Sequence, residues 1–170
     1  MTDAQDGAVV RVRVCAVLLE GGRVCLIRRE RPDGVQYSLP GGVVEAGEEP
    51  AVALLRELRE ELGLEVAEMG RAPVLRWVQH QVSSRPGAAV PFRREHRVFV
   101  LRLPDGAAEG LAPVELGVPD RAPVVWEEIG RAAGLHLYPA VGSGLHLAER
   151  GSGVGPEELP PMTDDTFRWL

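Results

Sequence analysis

The hydrophobic and polar positions change their period several times along the chain, and each change predicts an element. Val9–Leu19 alternates at first and then becomes continuously apolar, which predicts a strand. Gly21-Gly22 predicts a hairpin turn, and Arg23–Arg28 predicts the returning strand. After a turn at Pro32-Asp33-Gly34, the segment Tyr37–Leu39 predicts a short third strand.

Residues 50–62 have the features of an amphipathic helix. Pro50 suits the first turn, because its missing N–H would be unpaired there in any residue. Gly63 suits the left-handed conformation that often ends a helix. At about 100° per residue we expect an apolar stripe and, nearly opposite, a face of three glutamates. The stripe comprises Val52, Leu55, Leu58 and Leu62, and the glutamates are Glu57, Glu60 and Glu61.

The second half of the chain predicts more strands than helices. Val66–Met69 and Val74–Val82 are predicted as strands, with Pro73 between them, and His96–Leu103 is a third. The intervening Ser83–Pro91 is predicted as a flexible loop. These strands alternate with the helix, which favours an α/β fold.

The remaining segments set the predicted domain limits. A long loop over Pro104–Pro123 precedes a strand at Val124–Trp126 and a helix at Glu127–Ala133. A further short helix is expected between residues 135 and 147. We therefore expect a flexible N-terminus over residues 1–8 and one domain over residues 9–150. Residues 151–170 are expected to form a linker-like tail, because their first half is rich in Gly, Pro and acidic residues.

Composition restricts the function classes. The 170 residues suffice for one domain, and no apolar run approaches the roughly 20 residues that span a bilayer. The N-terminus lacks the pattern of a signal peptide, so we expect a cytoplasmic protein. A net charge of −6 argues against binding to nucleic-acid polymers. Cys15 and Cys25 are expected to be reduced core residues.

The acidic helix face indicates a cation site. Three glutamates on one face repel each other unless a cation neutralises them, although a solvated acidic face is the simpler alternative. Here the helix follows Leu39-Pro40-Gly41-Gly42, a tight turn whose backbone carbonyls can approach a ligand closely. Clusters of oxygen ligands suit Mg²⁺ or Mn²⁺. The pattern therefore indicates a divalent metal that holds a phosphate chain.

Residues 42–64 resemble the Nudix box, G-x5-E-x7-R-E-U-x-E-E-x-G-U, in which U is a bulky aliphatic residue. All of its specified positions match, and Tyr37–Gly42 resembles the usual lead-in. The resemblance implies a Nudix α/β/α sandwich with a mixed, curved sheet between helices, over about Val9 to Leu147 in element order. The matching positions are Gly42, Glu48, Arg56, Glu57, Leu58, Glu60, Glu61, Gly63 and Leu64.

The resemblance also implies the chemistry: hydrolysis of a nucleoside diphosphate linked to another moiety, with Mg²⁺ or Mn²⁺ as the cofactor. Carried over by position, Glu57, Glu60 and Glu61 ligate the metal together with the Gly42 carbonyl. A bound divalent ion neutralises the phosphates and lowers the pKa of a bound water.

The same resemblance gives roles to the neighbouring residues. Arg56 orients Glu57 and Glu48 by charge-assisted hydrogen bonds, and Glu48 braces the loop. Glu57 is instead the general base in an alternative assignment, on which members of the family differ. Many family members use a further acid from a later loop, and here either Asp120 or Glu115 could supply it.

Other side chains are weaker candidates for contact with a base or phosphate. For the two histidines a polar surface position is the simpler expectation, and for Trp77 it is core packing. Trp169 and Phe167 are expected at a subunit contact, in a possible homodimer, or Trp169 is disordered. The candidates comprise His80, His96, Arg28, Arg29, Arg31, Trp77 and Trp169.

Two functions follow as hypotheses. The first is a metal-dependent pyrophosphohydrolase that acts on a nucleoside triphosphate or a related small nucleotide. The alternative is a Nudix-fold nucleotide-binding regulatory module without turnover. The intact glutamates favour the first, because a site without chemistry has no need of carboxylates that repel each other.

Overall fold

A mixed β-sheet forms the centre of the computed structural model, which describes residues 9–151 and 155–170. The strands follow the order β8-β3-β2-β1-β6-β5-β9, while β4 pairs with β1 and β7 pairs with β2. The predicted flexible N-terminus, residues 1–8, lies outside the described residues. The strands are β1 Arg11–Glu20, β2 Arg23–Arg31, β3 Gly34–Ser38, β4 Gly41–Val43, β5 Val74–Ser83, β6 Phe92–Arg102, β7 Val124–Glu128, β8 Leu137–Tyr138 and β9 Glu157–Glu158, and the helices are α1 Pro50–Leu62, α2 Ile129–Ala132 and α3 Gly142–Arg150.

Strand β1 is buried on both faces, because its alternate side chains contribute to two separate hydrophobic clusters. Val14, Ala16 and Leu18 pack in the cluster that includes α1. Cys15 and Val17 pack in the cluster that includes α3. The sheet therefore lies between helices on its two faces, which confirms the predicted α/β sandwich.

Helix α1 begins and ends where the sequence predicts, but its buried face differs from the prediction. Gly63 caps it with φ 67°. Val52 and Leu55 were expected in the buried stripe, yet they are 56% and 39% exposed. Glu57 was expected on the opposite face, yet its side chain is only 14% exposed. Ala53, Leu54, Leu58 and Leu62 form the buried stripe instead.

The reason for this difference is the partner against which α1 packs. Glu57 and Glu61 lie within the same arc as Leu54 and Leu58 when residues are spaced by about 100°. Strand β4 opposite them begins with two glycines, which leave room for carboxylates next to the sheet. A prediction from hydrophobicity alone therefore places Val52 and Leu55 in the buried face and Glu57 on the exposed one, contrary to the structure.

Segments outside α1 also depart from the sequence prediction. Val66–Met69 was expected as a strand but forms a short 3₁₀ helix, which ends at Gly70 in the left-handed conformation, φ 64°. Strand β6 begins at Phe92 rather than at His96, because its first residues pair with the end of β5. The long loop contains a second 3₁₀ turn at Ala107–Gly110.

Cys15 and Cys25 are free and buried, as expected. Burial raises the pKa of the Cys15 thiol to about 11 and that of the Cys25 thiol to about 12. These thiols are therefore protonated core side chains at neutral pH.

The C-terminal residues are not the linker-like tail that the composition predicts. Strand β9 pairs in parallel with β5, and the Met162 backbone N–H donates to the His80 carbonyl at 2.9 Å. Met162 is 1% exposed and Phe167 is 6% exposed. Residues 155–170 thus complete the sheet edge and the core, and Phe167 and Trp169 pack within the chain.

We expect Met162→Ala to lower the free energy of unfolding by about 2–5 kcal/mol, because it deletes a fully buried side chain and leaves a cavity. Glu157→Ala, at an exposed position of the same segment, is the matched control and should change stability by less than about 0.5 kcal/mol. Urea unfolding of both variants measures the difference. Equal stabilities would mean that residues 155–170 are not docked in solution.

Candidate active site

Two adjacent glycines bring strand β4 into direct contact with helix α1 and strand β1. A Cβ on Gly41 would lie 2.1 Å from the Val14 carbonyl oxygen, and one on Gly42 would lie 2.3 Å from the Glu57 carboxyl. Gly41 also has φ 145°, which other residues rarely adopt. Any side chain at either position would therefore displace the carboxylate or the strand.

The carboxylate of Glu61 binds this glycine turn directly. Its Oε2 accepts a hydrogen bond from the Gly41 backbone N–H at 2.7 Å. Burial raises the pKa of Glu61 to about 7, and the charges of Glu115 and Glu57 raise it further, although Arg13 and the Gly41 N–H oppose the shift. Negative charge is therefore unfavourable at this position unless a cation joins it.

Arg56 holds the other acidic side chains together. Its Nε and Nη2 donate to the two carboxylate oxygens of Glu48, both at 2.9 Å. Its Nη1 donates to Glu57 Oε1 at 2.7 Å and to Glu60 Oε2 at 3.2 Å. Hydrogen bonds from Arg56 and from the Glu45 N–H lower the pKa of Glu48 to about 2. Glu48 thus links the loop to α1, whereas Glu60 is 55% exposed.

Of the two later acids left open by the sequence, Glu115 lies at the site. It is 2% exposed, and both of its oxygens accept hydrogen bonds from Arg29 at 2.7 Å. The next residue, Leu116, donates its backbone N–H to the Glu61 carbonyl at 2.9 Å. Asp120 is exposed on the loop beyond. The sequence spacing could not distinguish Glu115 from Asp120, because the position of this loop depends on the contact between Arg29 and Glu115.

The donor set suits a hard divalent cation, since the side chains that face the glycine turn offer carboxylate oxygens. Within residues 9–151 and 155–170, no three His, Cys, Asp or Glu side chains already converge as a metal would require. Glu57 instead accepts a hydrogen bond from Arg56, and Glu61 accepts one from the Gly41 backbone N–H. A metal would have to draw these two carboxylates from their present partners.

The weaker candidates fall into distinct groups. His96 is fully buried and hydrogen-bonds Gln81 at 2.8 Å, so it is neither the surface residue expected nor a ligand-facing one. Burial holds its pKa well below 6.5. Trp77 is a core residue, as expected, with 0% exposure. His80 is exposed beside Glu158, at 3.9 Å, and Arg28 pairs with Glu30.

A family model described as the NUDIX domain matches residues 9–122. The chain belongs to the NUDIX domain family. The match to the family model ends before β7, so the last three strands, α2 and α3 lie outside it. The contacts of Arg56, Glu57 and Glu61 described above therefore lie within the matched NUDIX region.

Curated relatives match this NUDIX region locally. An RNA pyrophosphohydrolase of Halorhodospira halophila is 44% identical over 69 residues, which cover 39% of this chain and 36% of that protein. A Mycobacterium tuberculosis protein, provisionally named 8-oxo-dGTP diphosphatase 2, is 44% identical over 61 residues, 35% of this chain and 43% of that protein. The chain thus spans less than half the length of these relatives.

Solved structures share the NUDIX fold over most of the chain. The MutT protein of Bacillus halodurans aligns with a TM-score of 0.61 at 19% identity, covering 92% of this chain and 93% of that one. The MutT protein of Methanosarcina mazei Go1 aligns with a TM-score of 0.57 at 19% identity, covering 85% and 96%. These likenesses concern the fold. Among the described residues, no helix is both long enough and apolar enough to cross a membrane.

We expect Glu61→Gln to stabilise the metal-free NUDIX protein at pH 8 but not at pH 4. The folded-state pKa is raised, so the glutamate's penalty is absent below about pH 4.5, grows as pH rises and is complete above about pH 7. The gain at pH 8 should be on the order of 1–3 kcal/mol.

Thermal and urea unfolding in a chelator, at both pH values, measures this effect. Glu65→Gln, at an exposed position just beyond α1, is the matched control and should leave the pH dependence unchanged. A Glu61→Gln curve parallel to that of the wild type would contradict the electrostatic account.

Proposed function

We propose that this chain is a divalent-metal-dependent pyrophosphohydrolase that cleaves a nucleoside diphosphate linked to another moiety. The observation that carries the proposal is the contact of Glu57 and Glu61 with the Gly41–Gly42 turn. Carboxylates placed at a side-chain-free backbone turn offer both the charge and the space that a metal-bound diphosphate needs. The NUDIX family membership and the names of the relatives support the reaction class.

The metal-binding residues of the proposal are the three glutamates of α1 and the Gly42 carbonyl. Mg²⁺ or Mn²⁺ bound there supplies neutralisation of the phosphate charge and a water of lowered pKa. Of the three glutamates, Glu60 has the most freedom to move towards a metal, because its side chain is 55% exposed and Arg56 is its only ion-pair partner among the described residues. Arg56 and Glu48 keep α1 and the preceding loop in register, so that the carboxylates stay directed at the turn.

The attacking water must lose a proton, and we propose Glu57 as the acceptor. Arg56 binds only Oε1 of Glu57, and no hydrogen bond from the described residues reaches Oε2. Glu115 is less suited, because Arg29 occupies both of its oxygens. We propose instead that Glu115, buried beside Glu61, adds negative charge that strengthens cation binding.

The substrate is proposed as a small nucleotide, with nucleoside triphosphates included. The relatives' names differ in substrate, one naming 8-oxo-dGTP and another RNA, so the panel that tests the proposal should contain both kinds. A homodimer and a cytoplasmic location remain proposals from the sequence. The subunit contact expected at Phe167 and Trp169 no longer supports a dimer, because these side chains pack within the chain.

We expect hydrolysis of at least one nucleotide in the panel with Mg²⁺ or Mn²⁺, and none in a chelator. Glu57→Gln should lower kcat by roughly 10²-fold or more, because it removes the proton acceptor and one negative charge from the metal site. Glu65→Gln is the matched control and should retain kcat. Phosphate release and product chromatography give the rates.

Two results would contradict this function. Full activity in a chelator, with no metal retained by the protein, would exclude the metal mechanism. Nucleotide binding without turnover across the whole panel would favour the alternative of a regulatory module.

A further inference from the structure

A cleft of about 310 Å³ opens beside Gly41, on the side of β1 away from α1. Its lining combines arginines with aromatic rings and contains no carboxylate. The concentration of positive charge is unusual in a chain with a net charge of −6. The arginines that define this arginine cleft are Arg13, Arg29, Arg31, Arg85 and Arg94.

Most of these arginines form no direct ion pair, although the charge of Arg13 acts on Glu61 through the glycine turn. Arg29 is paired with Glu115, as described above. Within the part of the chain that the structure describes, no ion pair involves Arg13, Arg31, Arg85 or Arg94. Guanidinium groups usually gather without carboxylates where an anion completes the site.

Arg13 is the most informative member, because it is a buried cation with an unused donor. It is 9% exposed, and its Nη2 donates to the carbonyls of Leu39 at 3.1 Å and Gly41 at 3.2 Å. Its Nη1 has no hydrogen-bond partner among the described residues. A buried donor left unpaired is destabilising, and an acceptor bound in the cleft would remove this cost once the Arg13 side chain turns to present Nη1.

Aromatic rings lie beside three of these guanidinium groups. Arg85 lies 5.5 Å from the Phe92 ring centre and 5.2 Å from that of Trp169. Arg94 lies 4.7 Å from Phe92, and Arg13 lies 5.5 Å from Tyr138. Stacking uses the faces of these planar groups and leaves their N–H edges available.

The C-terminal residues complete this arrangement. Trp169 donates from Nε1 to Ser83 Oγ at 3.1 Å and packs edge-on against Phe92 at 5.2 Å. One of the two rings beside Arg85, that of Trp169, therefore comes from a segment beyond the matched NUDIX region. This placement assigns residues 155–170 to the cleft as well as to the core.

Gly41 connects the arginine cleft to the acidic site. Its N–H binds Glu61 and its carbonyl binds Arg13, so the two sites share one residue. A phosphate chain held at the glycine turn can extend directly into the cleft.

We propose that the arginine cleft is an anion subsite for phosphate groups of the substrate that lie beyond the scissile diphosphate. The identification of the anion as part of the substrate rests on the proposed function. The binding of phosphate groups by the cleft does not depend on it. The substrate class is then a nucleotide with a further phosphate, either a chain of three or more phosphates or a phosphorylated second moiety.

The charge within the cleft is consistent with this role. Burial lowers the pKa of Arg94, and the positive charges of Arg13, Arg11 and Arg85 lower it further. Removal of one charge should therefore stabilise the free protein while it weakens anion binding. A purely structural arginine would show the opposite behaviour.

The direct test is calorimetric titration of tripolyphosphate into the full chain in a chelator. We expect binding by the wild type and at least tenfold weaker binding by Arg94→Gln and by Arg85→Gln. The thermal midpoint of unliganded Arg94→Gln should be equal to or above that of the wild type. Arg131→Gln, an exposed arginine paired with Glu127 on α2, is the matched control and should bind normally.

A second measurement assigns the phosphate to the substrate. We compare two nucleotides that differ by one terminal phosphate. The ratio of kcat/KM for the longer nucleotide to kcat/KM for the shorter one should be lower in Arg94→Gln than in the wild type. An unchanged ratio, with weakened tripolyphosphate binding, would overturn the assignment to the substrate.

No tripolyphosphate binding by the wild type would overturn the subsite itself, and so would an equal loss in Arg131→Gln. Failure of hydrolysis with intact, Arg94-dependent tripolyphosphate binding would contradict the proposed function and leave the anion site supported.

Discussion

The close contact of the Gly41–Gly42 turn with its neighbours is the constraint on which the rest of the site depends. Strand β1 lies against Gly41 on one side, and Glu57 of α1 lies against Gly42 on the other. Neither contact leaves room for a Cβ. The helix can therefore bring carboxylates to the sheet where leucines would otherwise pack. Arg56 and Glu48 then fix the helix to the loop that leads from this turn.

The same turn separates two regions of opposite charge. The amide of Gly41 faces Glu61, and its carbonyl faces Arg13. Carboxylates that suit a cation thus adjoin guanidinium groups that suit an anion. A metal-bound phosphate chain is the class of ligand whose charges match both regions, which is why the proposed function and the anion subsite support each other.

Local signals in the sequence predicted the elements whose causes are local. Pro50 and Gly63 set the limits of α1, and the apolar pattern of Val9–Leu19 predicted β1. The side of α1 that is buried was not predictable from hydrophobicity, because it depends on glycines outside the helix. The docking of residues 155–170 was missed for a similar reason. Parallel pairing with β5 joins segments about 80 residues apart, which no local pattern indicates. The many Gly, Pro and acidic residues after residue 150 also favoured a linker, although Met162 and Phe167 follow them.

We propose that the glutamates of α1 and the glycine turn form one cation site. Paramagnetic broadening of amide NMR signals by substoichiometric Mn²⁺ tests it most directly. The account predicts that the Gly41 and Gly42 amide signals broaden first, whereas those of α3, across the sheet, persist. In Gly42→Ala the early broadening should be lost, because the added Cβ displaces Glu57. Gly110→Ala, at a site with no heavy atom within 4 Å of the new Cβ, should broaden like the wild type. Broadening that begins elsewhere, or that Gly42→Ala leaves unchanged, would contradict the account.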